Sequence, residues 1–258
     1  MIHKKRKLAL ITGGTSGIGL GIACSLSGEY DLALSFENNV DGAQEAIKKL
    51  SEIDSEGMVK TFQAPLSGYQ SSKNLFSEAV EQFGTFPSIL VHCAGRIHDE
   101  LFINSEFSVH EEIVSQHLLS GMALAHLCLP EMYRAKAGRI IFMSSLSAHV
   151  SRPGQASYAA AKNAIEGFAK TLAFETAHRG ITVNCIAPGL IETKMTASII
   201  QDIQRQPERL RLKIPVGFIG QKEDVGALAK FLCSAEARYI TGAVVPIDGG
   251  QSLGNSNS

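Results

Sequence analysis

Short apolar runs alternate with segments of helical periodicity along almost the whole chain. The runs at 8–12, 32–36, 58–63, 89–93, 139–143, 182–187 and 244–247 have strand length and stay largely apolar, as strands covered on both faces do. Helical periodicity fills 18–26, 41–53, 71–83, 111–134, 157–178 and 224–232 between them. This alternation predicts an α/β fold, a doubly wound parallel sheet of about seven strands with helices on both faces. At 258 residues the chain can close one such core, so 1–258 is read as a single domain. One stretch breaks the rhythm. Residues 192–219 are polar, carry Pro207 and Pro215 and offer no strand, which predicts a mobile lid over a site.

The first strand runs into TGGTSGIG, Thr12 to Gly19, and then into a helical segment. Gly13, Gly17 and Gly19 stand where a tight turn must let backbone approach a pyrophosphate, and the following helix N-terminus offers amide donors and partial positive charge. A second group stands further on. Tyr158 and Lys162 are four apart, and if Ser157 caps a helix there, phenol and ammonium share one face. A neighbouring ammonium favours the phenolate, bringing the phenol closer to service as an acid or base near neutral pH. Ser145 follows the apolar run ending at Met143, so its hydroxyl emerges at a strand's C-terminal edge, where open α/β sheets bind ligands. From there it can hydrogen-bond a carbonyl oxygen that Tyr158 protonates while hydride reaches the carbonyl carbon.

TGGTSGIG, the Ala94-Gly95 pair, Ser145, YAAAK and PGLIETKM at Pro188 to Met195, in this order, resemble the short-chain dehydrogenase/reductase family. The resemblance covers nearly the whole chain. It implies a Rossmann-like fold, and the stretch around Tyr158 with YITGAVVPIDGG looks most like bacterial 3-oxoacyl-[acyl carrier protein] reductases. By that resemblance Ser145 orients the substrate, Tyr158 is the acid/base, and Lys162 holds the nicotinamide ribose while lowering the phenol's pKa. The same likeness implies cofactor contacts at Gly13, Thr15, Ser16, Gly17, Ile18 and Gly19, at Phe36 and Glu37, at Leu66, and at Cys93, Ala94 and Gly95. Further contacts fall on Tyr158, Lys162, Pro188, Gly189, Ile191 and Thr193. Such reductases are commonly tetramers.

The chain departs from the family's pattern at three places. His92 and Cys93 stand where two asparagines are usual, so hydrogen bonding inside the sheet must differ. Pro65-Leu66 stands where an Asp-Val pair meets the adenine, removing a side-chain hydrogen bond. His117 takes the place of a fourth catalytic residue, an Asn whose main-chain carbonyl holds a water of the proton relay; a His can keep that carbonyl or disturb the helix that exposes it.

Composition narrows the partners. Twenty-four basic and 25 acidic residues leave a formal charge of −1, which gives no field for gathering nucleic acid or an anionic membrane surface. No apolar run approaches the ~18 residues of a membrane span, the basic N-terminus at Lys4 to Lys7 reads as a solvated arm, and a cytoplasmic location is expected. The five cysteines are scattered and read as core residues of a reducing compartment. His110 and His117 are seven apart, the wrong spacing for a zinc helix, so no metal is expected. His149 and His178 are placed near the mouth or on the surface.

NADP(H) is favoured by the resemblance, yet no Arg or Lys stands in the glycine turn or at the second strand's end, and Glu37 could take a ribose hydroxyl, so NAD(H) stays open. The implied substrate is a ketone, first a 3-oxoacyl thioester on an acyl carrier protein, which Lys136 and Arg179 could attract. A steroid, sugar or secondary-metabolite ketone is the alternative, as is a weakly active subunit of a heteromeric reductase.

Overall fold

The computed structural model describes residues 6–204 and 207–253. The basic arm up to residue 5 and the tail from 254 lie outside them. Seven parallel strands form one sheet in the order β3-β2-β1-β4-β5-β6-β7. They are β1 Lys7–Thr12, β2 Tyr30–Phe36, β3 Val59–Gln63, β4 Pro87–His92, β5 Gly138–Met143, β6 Ile181–Pro188 and β7 Val244–Ile247. The helices are α1 Gly17–Leu26, α2 Val40–Ile53, α3 Tyr69–Phe83, α4 Phe107–Val114, α5 Ser120–Ala135, α6 Ala156–Thr176, α7 Ala197–Gln204, α8 Pro207–Lys213 and α9 Lys222–Cys233.

Alternation along the strands splits the core in two. Leu8 and Leu10 of β1 face a cluster holding α3, α5 and α6, whereas Ala9 and Ile11 face a cluster holding α1, α2 and α9. Both faces are therefore covered, which is why the strands read as continuous apolar runs. Strand order reverses between β1 and β4, opening a crevice at their C-terminal ends where ligands bind in such sheets.

Three local features depart from the expected elements. Helix α6 begins at Ala156 with Gln155 as N-cap, so Ser157 lies inside its first turn and its hydroxyl bonds His110 instead of capping. The expected helix over 111–134 is α4 and α5 joined through a π turn, Ser115–Leu119. The run Phe107–Ala135 is long and apolar enough to cross a membrane by length and composition, but it packs on the sheet with half of its apolar window buried. Finally, residues 192–219 carry α7 and α8 and are tied down by the Ile191–Gly220 bridge and by Val216 N–H to the Gly249 carbonyl. Polar composition and two prolines hid these helices.

Candidate active site

A cleft of ≈ 980 Å³ runs along the C-terminal edge of the sheet. At its floor, β1 turns into α1 through Gly13 at φ +63°, and a Cβ on Gly19 would stand 2.1 Å from the Gly13 carbonyl oxygen. Glycine is therefore required for the turn to fold back on the helix start. Ser16 caps α1 without laying its side chain on the first amides, and it lines the cleft beside Thr15 and Ile18 at the helix start. Ser35 of β2 braces the turn, its hydroxyl accepting from Gly13 N–H at 3.3 Å. Phe36 and Glu37 lie beyond it, and Leu66 closes the wall after β3.

On the other side, Cys93, Ala94 and Gly95 follow β4. The N–H groups of Cys93 and Ala94 both donate to Thr12 Oγ1 at 3.0 Å. With two donors already on that oxygen, the Thr12 proton goes to His92 Nδ1, also at 3.0 Å, and His92 Nε2–H donates to the Gln116 carbonyl at 3.1 Å. His92 thus joins β1 to the π turn in place of the usual asparagine, fully paired, and burial lowers its pKa to about 4. Cys93 is pushed up to about 11 by burial and stays a thiol. Pro188 ends β6, Gly189 N–H holds the Ile247 carbonyl at 3.0 Å, and Thr193, after Ile191, lies 3.5 Å from where a Cβ of Gly17 would stand. The start of the 192–219 stretch therefore meets the glycine turn.

Ser145, Tyr158, Lys162 and His117 all line this same cleft. Ser145 follows β5, its hydroxyl accepting from Ser147 N–H at 3.1 Å. Tyr158 and Lys162 are buried on one face of α6, with Nζ 5.5 Å from the phenol ring centroid. Their electrostatics differ from the simple pairing argument. Lys162 Nζ donates to the Met143 carbonyl at 2.6 Å, and burial lowers its pKa to about 8. Burial raises the Tyr158 pKa against a hydrogen bond from Ser145, because desolvation outweighs the charges around it. The phenol is pushed up, not down, and so remains a proton donor at neutral pH.

Several groups escaped the sequence reading. Ser147 Oγ donates to Gln155 Oε1 at 2.8 Å and Gln155 Nε2 to Asp99 Oδ1 at 2.9 Å, forming a polar wall at the mouth. Buried Glu166 accepts from Ser144 Oγ and from His149 Nε2, the latter at 3.0 Å. Its position one turn beyond Lys162 was the available signal. Glu45 and Lys49 of α2 line the same cleft as Glu37. His110 and His117 point to separate partners, Ser105 and Ser157 for the first and the Arg96 carbonyl for the second, while His178 bonds the Tyr133 hydroxyl at 2.6 Å.

A family model described as Enoyl-(Acyl carrier protein) reductase matches residues 13–252. The chain belongs to the short-chain dehydrogenase/reductase family. Among curated relatives, the 3-oxoacyl-[acyl-carrier-protein] reductase FabG of Staphylococcus aureus is 33% identical over 252 residues, covering 97% of this chain and 100% of that protein. The Escherichia coli protein of that name is 34% identical over 247 residues, with 96% and 98% covered. Among solved structures, acetoin dehydrogenase YohF of Salmonella typhimurium superposes with a TM-score of 0.86 at 28% identity, covering 98% and 100%. As a short-chain dehydrogenase/reductase, this chain is an oxidoreductase that works with a nicotinamide cofactor. Its cleft fits that group: the glycine turn leaves room for a pyrophosphate at the α1 N-terminus, where a Cβ on Gly17 would meet nothing nearer than Thr193.

Proposed function

We propose that this chain reduces a ketone to a secondary alcohol, with Ser145, Tyr158 and Lys162 as the catalytic side chains. The observation that carries the reading is their convergence at the C-terminal edge of the sheet in one cleft with the glycine turn. Bound there, the cofactor supplies the hydride. Ser145 donates a hydrogen bond to the ketone oxygen, and the protonated Tyr158 delivers its proton as negative charge develops there. Lys162 holds the nicotinamide ribose, and the His117 main-chain carbonyl supports the water that resupplies the proton. Gly13, Thr15, Ser16, Gly17, Ile18 and Gly19 cradle the phosphates, Phe36, Glu37 and Leu66 flank the adenosine, and the remaining contacts fall on Cys93 to Gly95 and Pro188 to Thr193. Residues 192–219 close over the substrate.

The substrate we propose is a 3-oxoacyl thioester presented by an acyl carrier protein, in line with the likeness to the FabG proteins over nearly their full length. For the cofactor, that likeness favours NADP(H), with Lys49 the ammonium at the adenosine end. A second reading, NAD(H), is favoured by the carboxylates of Glu37 and Glu45 beside it, which oppose a 2′-phosphate. We assign the apolar groove of α3, α5 and α6, with exposed Tyr69, Leu119 and Met122, to subunit contacts of a homotetramer. Turnover of an acetoacetyl thioester with each nucleotide, beside light scattering of the protein, tests these statements; no turnover in a protein that binds a nucleotide would move the assignment to another ketone.

A further inference from the structure

A buried imidazole stands between the two walls of the cleft. His117 lies in the π turn, and its Nε2–H donates to the Arg96 carbonyl at 2.8 Å. With the proton on Nε2, Nδ1 carries a lone pair, and this atom is one of two buried side-chain N or O atoms among the described residues that have no hydrogen-bond partner. The ring lies across Gly95, where a Cβ would come within 2.0 Å of its Cε1. It also meets the Tyr158 ring in a T-shaped contact, centroids 5.0 Å apart and planes at 86°. Burial, then Lys162 from α6, with a smaller push from His92 of β4, holds its pKa well below the usual histidine value. Packing alone does not call for a nitrogen here. A Phe would fill similar space without leaving a buried acceptor unpaired, which is unfavourable.

We propose that the His117 imidazole is a positioning residue, tying the Gly95–Arg96 turn, which receives the nicotinamide riboside, to the Tyr158 phenol. This role belongs to the side chain, apart from the backbone carbonyl, and rests on the reading of Tyr158 as the acid/base. The hydrogen bond to Arg96 fixes the ring, Gly95 gives it room, and the ring's contact with Tyr158 sets the phenol's orientation. A single wedge therefore registers cofactor wall and proton donor against each other.

His117→Asn and His117→Phe separate the contacts, since the first keeps the backbone carbonyl without the ring and the second keeps a ring without Nε2–H. The chain has no Trp and five Tyr, so ultraviolet titration of phenolate, with Tyr158→Phe subtracted, reads Tyr158 directly. His117→Asn is expected to lower kcat ~10-fold with ketone KM changed less than ~2-fold, and to move the Tyr158 titration by about half a pH unit or more. His117→Phe is expected to keep the Tyr158 titration near wild type while weakening nucleotide binding several-fold. Wild-type kcat and titration in both variants, with only a lower melting temperature, would overturn the proposal. A Tyr158→Phe enzyme with wild-type turnover would instead overturn the acid/base reading, leaving the titration shift to decide the contact.

Discussion

His92 Nδ1 lies 3.0 Å from Thr12 Oγ1, and the same imidazole reaches the Gln116 carbonyl at 3.1 Å, so one neutral ring holds β1, β4 and the π turn together. The His92 pKa is lowered from 6.5 to about 4 by burial, which means that between these values the unfolded chain takes up a proton that the folded chain refuses. Stability should fall as pH drops through that window, by on the order of 3 kcal/mol by pH 4. Urea midpoints at neutral and acid pH should differ less in His92→Asn than in the wild type. His92→Ala should cost about 2–4 kcal/mol at neutral pH, since two paired groups lose their partner and a cavity opens.

Lys162 presents the opposite balance of stability and activity. Its pKa is lowered to about 8, so between about 8 and 10.5 the unfolded chain holds more protons and stability rises with pH. Lys162→Met should raise the melting temperature at neutral pH, where a buried charge is removed, and flatten that alkaline rise. Turnover should fall at least ~100-fold. A variant both active and less stable would contradict the assignment.

Gly19→Ala addresses the phosphate turn. A Cβ there meets the Gly13 carbonyl oxygen at 2.1 Å, which backbone must move to relieve. Nucleotide binding, measured by fluorescence titration, should weaken at least ~10-fold for NADH and NADPH alike.

Nucleotide preference should follow the adenosine end. Removing carboxylate charge with Glu37→Gln and Glu45→Gln should strengthen NADPH binding relative to NADH, whereas Lys49→Met should weaken NADPH alone, each by several-fold. Equal changes for both nucleotides would place these residues away from the 2′ position.

Much of the fold was legible because the central strands are buried on both faces and therefore read as apolar runs, while the edge strands β3 and β7 are only partly buried; all seven strands' ends fell within two residues of those expected. Side chains meeting across the fold were not legible. The π turn falls on SQHLL, which holds neither Pro nor Gly, so no helix breaker marks it in the sequence. Spacing brought Tyr158 and Lys162 to one face of α6, but the phenol is pushed up because its burial outweighs the Ser145 hydrogen bond, and the ammonium turns to the Met143 carbonyl of β5; neither is written in the spacing. Likewise, His92 was visible as a departure, while its partners Thr12 and Gln116 lie 80 and 24 residues away.

The central claim is that Tyr158 delivers the proton to a ketone oxygen in this cleft. Initial rates of NADPH and NADH oxidation with an acetoacetyl thioester, run on the wild type beside Tyr158→Phe, test it most directly. The account predicts turnover in the wild type and a loss of at least ~100-fold in Tyr158→Phe with nucleotide binding retained. Turnover of equal rate in both proteins would contradict it.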